Sequence, residues 1–371
     1  MSMVLRTIGF AALALLTLEA TSRIDDYLAY GAPLFRPYSI DGIFRGSPYG
    51  REGIPNARYR KWQMNHLGYR GPDPRGAPNR VLVFGASEMF GLYESEGSEV
   101  PRVIERHLNG ANGAAYDVTN GAIPGIKLGR VGYLEDTIRK SAAQVVIVYP
   151  SPANYIGMRT PLCGTEPRPV VVDPTIWEKI RIVGKGADLL RGALPIWSKD
   201  IFNRASIWLA TRDSLTVERV PPETIDAFRE DLRCALRAIR RLGAAPVLVT
   251  HATYFRETGT ELNERLLTAW RRFYPNLHQG GFLDLERKAN ATIRELAASE
   301  GVTLVDLARD MPGGRENFAD FVHFTDAGAL KAGRMIAAGV SKEVGKGVAR
   351  EGRPGSRSVY GQARPRASPG S

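Results

Sequence analysis

The chain is poor in the residues that build metal clusters. Its 371 residues include two cysteines, Cys163 and Cys234, and five histidines. No C-x-x-C pair and no Cys/His cluster occurs, which excludes a structural zinc site. The two thiols are able to form a disulfide in an oxidising compartment. Sequence alone leaves open whether their Cα atoms lie within bonding distance. Zinc-finger, helix-turn-helix and RNA-binding signatures are also missing, so the formal net charge of +11 does not point to nucleic acid. Much of that charge is terminal. Residues 342–371 hold seven Lys/Arg and two Asp/Glu, a net of +5, within a stretch rich in Gly, Ser, Pro and Arg. Such a segment has no apolar period and too little apolar surface to offset its ordering entropy. It is expected to be a disordered basic tail, solvated or drawn to anionic lipid or polysaccharide.

The N-terminal apolar run is short. Residues 8–18 carry no charge and supply about half of the roughly 20 residues that span a bilayer. Counting back to Met3, with Arg6 reaching to the interface, lengthens it. A charged start before a short apolar stretch also fits a secretory signal, with residues 20–22 as its cleavage site. Residues 1–22 are therefore expected to be an anchor or signal segment. A buried helix of the domain is the alternative. The first two readings place the remainder outside the cytoplasm, and Arg6 keeps the N-terminus inside.

Residues 23–77 form a turn-rich lead-in. It contains the string NHLGYRG at 65–71, whose glycines suggest tight turns. A buried strand follows at 80–85 (RVLVFG), apolar without alternation, as in a parallel strand covered on both faces. Further strands are predicted to end at Asn120 and to run over 144–149, 246–250 and 302–306. Helices are predicted at 100–108, 129–141, 222–242, 282–300 and 326–340, the last capped by Thr325. Residues 157–222, with Trp177, Trp197 and Trp208, and residues 252–280, with Tyr254, Trp270 and Tyr274, break this rhythm and are read as insertions. Core packing is the expected fate of most of these aromatics. Strand–helix alternation across 78–341 predicts an α/β domain with a largely parallel sheet. Ligands then sit beyond the carboxyl ends of the strands.

Two strand ends carry chemistry. Gly85-Ala86-Ser87 follows the first strand, so Ser87 faces the crevice; a helix-capping role is the plain alternative. Position 89 is Met, so the G-x-S-x-G elbow of α/β-hydrolases is absent, and the loop is not a phosphate-cradling P-loop. After the last strand, Asp320 precedes His323 by three residues. That carboxylate can bond Nδ1–H and leave Nε2 to act as base toward a hydroxyl. His251 also follows a strand but has no acid at suitable spacing, which suggests packing or substrate contact.

Together, strand–Gly-x-Ser, the NGAIPG string at 120–125, an Asn after the next strand and Asp-x-x-His before the final helix resemble the SGNH/GDSL hydrolases over about residues 78–341. The resemblance implies a three-layer α/β/α, flavodoxin-like fold. It implies Ser87 as nucleophile, His323 as base and Asp320 as its orienting acid. It further implies an oxyanion hole from the Ser87 and Gly125 N–H groups and the Asn154 amide, with no cofactor or metal. Two departures stand out. The first block has Ala86 where the family has Asp. The third block reads YPSPANY at 149–155, so Asn154 lies farther from its strand and Ser151 is an alternative donor. The lead-in also resembles that of membrane-anchored bacterial SGNH proteins. The expected function is extracytoplasmic hydrolysis of an acyl ester, with an O-acetylated glycan as one substrate class. The alternatives are O-acyl transfer to a surface polysaccharide and carbohydrate binding without catalysis.

Overall fold

The computed structural model describes residues 2–111, 115–156, 160–166, 180–212, 217–255 and 263–351. The chain opens with helix α1 (Ser2–Tyr30). Two small antiparallel hairpins follow, β1 (Phe44–Ser47) with β2 (Gly50–Gly53) and β3 (Arg58–Tyr59) with β4 (Trp62–Gln63). The domain proper then runs β5 (Asn79–Gly85), α2 (Ser87–Phe90), α3 (Val100–Ala111), β6 (Tyr116–Asn120), α4 (Val131–Ser141), β7 (Val145–Tyr149) and α5 (Pro152–Tyr155). It continues with α6 (Arg181–Ala193), α7 (Ile196–Thr211), α8 (Pro222–Arg241), β8 (Ala245–Val249) and α9 (Glu264–Arg271). The last elements are α10 (Gln279–Ser299), β9 (Thr303–Val305), α11 (Leu307–Asp310) and α12 (Asp326–Glu351).

The five strands β5–β9 make one parallel sheet in the order β6-β5-β7-β8-β9. Helices α3 and α12 cover one face and α4, α8 and α10 the other, giving three layers. The central strands are apolar and unalternating because both faces are covered, and Leu82, Val83, Ile147 and Val247 are all fully buried. Helix α12 lies close on α3 because Gly333 has no side chain; a Cβ there would come within 2.5 Å of Val103 Cγ1. The predicted α/β domain with its parallel sheet is thus the observed one, with strand ends shifted by a residue or two.

Three expected boundaries move. The N-terminal helix continues past residue 22 to Tyr30 because α6 holds its far end. Glu19 accepts the backbone N–H groups of Arg181 (3.2 Å) and Ile182 (2.9 Å), and Lys185 pairs with Asp25 and Asp26. The first part of α1 projects freely, with Val4, Ile8, Phe10, Leu13 and Leu16 exposed, and residues 3–30 are long and apolar enough to cross a membrane. The final helix does not stop at Val340. It runs ten residues into the expected tail because Val344 packs on the core and Glu343 bonds the Thr303 hydroxyl. Residues 352–371 lie outside the described residues. The two insertions are not structureless either, since they carry α6, α7 and α9, and α10 begins at Gln279 inside the second.

Cys163 and Cys234 form a disulfide with Cα atoms 6.3 Å apart. It ties the segment 160–166 to α8, where buried Asp231 also accepts the N–H groups of Leu162 (2.9 Å) and Cys163 (2.8 Å). The bridge closes a loop of 71 residues. Cross-linking a loop of that length removes unfolded-state entropy, so Cys234→Ala is expected to lower the unfolding free energy by about 2–4 kcal/mol. A urea titration of the oxidised protein beside the variant measures this, and coincident midpoints would contradict it.

Candidate active site

Strand β5 pairs with β6 on one side and β7 on the other, so the chain leaves it at the point where strand order reverses. Loops diverge there and open a crevice at the carboxyl ends. Ser87 is the first residue of α2, two residues past β5. Gly85 allows the tight turn: a Cβ at that position would meet Met89 Cγ at 2.8 Å and the Tyr149 carbonyl at 3.3 Å. The turn closes at Gly91, whose φ of +86° lies in the left-handed region.

The loop after β6 is tied to the same place. Gly121 N–H donates to the Val83 carbonyl (3.0 Å) and Ile123 N–H to that of Gly85 (3.2 Å). The Asn120 side chain donates to the Met89 carbonyl (3.1 Å), joining this loop to α2. Gly125 sits exposed at its outer bend with φ +77°. The loop after β7 closes on it. Asn154 is buried; its Oδ1 accepts Ser151 N–H (2.7 Å) and its Nδ2 donates to the Ile126 carbonyl (2.8 Å). A primary amide nitrogen carries two hydrogens, so one remains beyond that contact. The Ser151 hydroxyl is buried and makes no hydrogen bond. The expected oxyanion residues Gly125 and Asn154 thus belong to two loops stitched together beside the Ser87 turn.

Asp320 and His323 form a closed local unit. Asp320 Oδ1 accepts the N–H groups of Val322 (2.9 Å) and His323 (2.8 Å), and Oδ2 lies 2.7 Å from His323 Nδ1. The Tyr93 ring lies 5.1 Å from the imidazole. Among the described residues the buried His323 Nε2 has no hydrogen-bond partner. Burial alone would lower the imidazole pKa. The hydrogen bond and charge of Asp320, followed by the charges of Glu88 and Glu94, outweigh burial and raise it. Burial likewise opposes ionisation of Asp320, but the bond to His323 holds its carboxyl below the usual range. The Ser87 hydroxyl is turned instead to Glu88 Oε2, at 3.4 Å.

Several residues at this site were not apparent from spacing. Glu88 is buried and its Oε1 lies 3.5 Å from His251 Nε2. His251 is fully buried, and its Nδ1 lies 2.7 Å from Glu286 Oε2, whose other oxygen accepts the Tyr155 hydroxyl at 2.6 Å. His251 therefore does have acids beside it, one from α2 and one from α10. The lead-in string contributes Arg70, also buried. Its Nη1 donates to the carbonyls of Phe90 (2.5 Å) and Gly91, and Nη2 lies 3.7 Å from Glu99 Oε2. The expected turns in that string are present, with Asn65 Oδ1 accepting Leu67 N–H (3.0 Å) and Tyr69 N–H (2.9 Å). Burial lifts the nearby Glu94 carboxyl to about 7. Among the insertion aromatics, Trp270 is in the core, stacked on Phe282 and Phe321, whereas Trp197 and Trp208 are exposed. Trp177 lies outside the described residues. An apolar cleft of about 410 Å³, lined by Val217, Val220, Phe273, Tyr274, Leu277 and Leu285, lies apart from Ser87 and His323.

No protein-family model matches the chain, and no curated protein matches it. Among solved structures it is similar to a Desulfitobacterium hafniense protein assigned to the G-D-S-L family of lipolytic proteins (10% identity, TM-score 0.41, 70% of this chain and 99% of that one). It is also similar to a lipase/acylhydrolase of Enterococcus faecalis (14%, 0.42, 71% and 96%). A third is Axe2, an acetylxylan esterase of Geobacillus stearothermophilus (11%, 0.41, 74% and 97%).

Arg70 caps the carbonyl end of α2 from inside the protein, so its removal is expected to be costly. Arg70→Leu leaves two carbonyls and the Glu99 carboxylate buried without a cation, and about 3–5 kcal/mol of stability should be lost. Chemical denaturation measures this; a loss below about 1 kcal/mol, the range of an exposed ion pair, would show the contact to be dispensable.

Proposed function

We propose that the protein is a serine esterase held outside the cytoplasm by α1 and acting on an acyl ester, with acylated glycans as its substrate class. The observation that carries this reading is the Asp320–His323 pair, bonded at Nδ1 and, among the described residues, without a hydrogen-bond partner at the buried Nε2. An acid that fixes the tautomer and a free Nε2 are what a hydroxyl nucleophile needs from its base. Ser87, on the switch-point turn, is the hydroxyl this reading uses. The projecting apolar part of α1 and the disulfide both favour an oxidising compartment beyond a membrane.

In this mechanism Ser87 Oγ attacks the ester carbonyl carbon while His323 Nε2 takes the hydroxyl proton. The carbonyl oxygen becomes an oxyanion, and the candidate donors to it are the Ser87 and Gly125 N–H groups and the second hydrogen of Asn154 Nδ2. Donors fixed by the fold act on charge that appears only in the transition state. The tetrahedral centre collapses, the alcohol leaves with the proton from His323, and an acyl-Ser87 ester remains. Water then gives its proton to His323 and attacks this ester. Collapse releases the carboxylic acid and returns the proton to Ser87 Oγ. If a sugar hydroxyl replaced water, the product would be a new ester, so product analysis with and without a glycan acceptor separates hydrolysis from acyl transfer.

The deciding assay is hydrolysis of p-nitrophenyl acetate. Ser87→Ala should lower kcat by about 10³-fold or more, and an unchanged rate would remove Ser87 from the mechanism. The pH profile follows from the sign of the His323 shift. The base must be neutral, and its raised pKa places the acid limb of kcat/KM above the ordinary imidazole value. Asp320→Asn should move that limb to lower pH while kcat falls by about 10³–10⁴. Asn154→Ala should lower kcat by about 10²-fold with KM within twofold; an undiminished kcat would transfer the donor role to Ser151.

A further inference from the structure

The residue after the proposed nucleophile is a buried glutamate, and the mechanism above does not use it. Glu88 is 3% exposed and faces two groups at once. Its Oε2 accepts the Ser87 hydroxyl at 3.4 Å, and its Oε1 lies 3.5 Å from His251 Nε2. His251 is in turn fixed from behind. Its Nδ1 lies 2.7 Å from Glu286 Oε2, its N–H donates to Asn290 Oδ1 (2.8 Å), and its carbonyl accepts from Asn290 Nδ2 (3.0 Å). The Tyr149 ring packs edge-on against it at 5.4 Å. The result is a line of side chains, Ser87–Glu88–His251–Glu286–Tyr155, running into the core.

We propose that Glu88 is a positioning residue of the esterase site: locked as a carboxylate by His251, it orients the Ser87 hydroxyl and presents a second negative charge to His323. The inference rests on the esterase reading. Its physical basis is the cost of the arrangement. A buried carboxylate beside a hydroxyl would take up a proton unless a cation answered it. His251 is that cation: burial alone would lower its pKa, but Glu286 and then Glu88 outweigh burial and bring it up to about 9. Burial would raise the Glu88 carboxyl, but His251 at 3.5 Å, followed by the charge of His323, holds it below its ordinary value. The groups facing His323 are Asp320 from its own loop, Glu88 from α2, and Tyr93 and Glu94 from the loop after α2. The groups facing His251 are Glu88, Glu286 from α10, Tyr155 from α5 and Tyr149 from β7. When Ser87 gives up its proton, His323 becomes an imidazolium, and a fixed carboxylate nearby favours that charge. The Ser87 hydroxyl rests on Glu88, so Glu88 sets the rotamer from which its proton passes to His323 and attack begins.

Five histidines make a direct test feasible on the full chain in detergent micelles, labelled with ¹³Cε1-histidine. Resonances are assigned by single replacement of each ring, and titration curves are compared for wild type, Glu88→Gln and Glu88→Asp. In wild type, His251 should stay protonated to about pH 9; a His251 that titrates near its ordinary value of about 6.5 would overturn the proposal without any variant. In Glu88→Gln the His323 titration should move down by about half a pH unit or more, and Glu88→Asp should restore most of it. On p-nitrophenyl acetate, Glu88→Gln should lower kcat about tenfold with KM within twofold, and its acid limb should move in the same direction. A merely structural glutamate would reduce the folded fraction and leave both the limb and the His323 titration in place, and that outcome sinks the proposal. Absence of esterase turnover in wild type together with a shifted His323 would instead fault the esterase reading alone.

Discussion

The parallel pairing of β5 with a neighbour on each side is the constraint on which the site depends. The last pair with β6 is Val83 with Asn120, whereas the last with β7 is Gly85 with Tyr149. Strand β6 therefore ends two residues short of β5 and β7, which end level, and the loops separate instead of running together. Ser87 rises between them, with the Asn120–Met89 bond on one flank and the Asn154–Ile126 bond on the other. Register is what makes this reproducible. A slip of one residue would turn each β5 side chain to the opposite face and carry the serine turn with it. Burial of Val81, Leu82, Val83 and Phe84 resists the slip, each contributing roughly 1.5–3 kcal/mol when fully withdrawn from water.

Because the strands are buried on both faces, they were legible in the sequence as unbroken apolar runs, and the layers followed from their alternation with helices. The Asp320–His323 unit was legible for a different reason: both partners lie within one loop, so spacing alone specifies the contact. Ser87 came from its place after the first strand. What spacing could not supply are contacts between distant segments. Arg70 reaches the end of α2 across 20 residues, and His251 meets Glu286 across 35. His251 was set aside in the sequence because no acid stood near it in the chain, while two stand near it in space. Asn154 follows the strand β7, as the sequence order suggests, but its bond to Ile126 depends on how two loops meet. Helix α12 runs past the expected end because charge and glycine content mask contacts such as the packing of Val344 on the core and the bond of Glu343 to Thr303.

The buried charges share a location. Arg70, Glu88, Glu94, Glu99, His251 and Glu286 are all nearly withdrawn from solvent, and all stand around α2 or directly behind it. Each ion loses several kcal/mol of hydration on burial, and paired charges of this kind are often no more stabilising than apolar residues of the same volume. Stability therefore does not account for them. Their common neighbour does. Arg70 holds the carbonyl end of α2, Glu88 belongs to α2 itself, and His251 with Glu286 fixes Glu88. A four-residue helix has almost no stability of its own, so the position of the serine at its start is set by the polar contacts around it.

That arrangement also explains why the two sides of Ser87 differ. At one end, Asp320 and His323 share one loop and are part-buried, with Nδ1 paired to Asp320 and Nε2 without a hydrogen-bond partner among the described residues; the proposed mechanism uses this pair to exchange the proton. At the other end, His251 has a carboxylate facing each ring nitrogen and a backbone bonded to Asn290, and it is sealed from water. An imidazole enclosed between two carboxylates favours its protonated form, and its pKa is raised accordingly. In the proposed mechanism the two histidines therefore have different parts: His323, whose one described partner is Asp320, takes the proton, and His251 holds Glu88 in place.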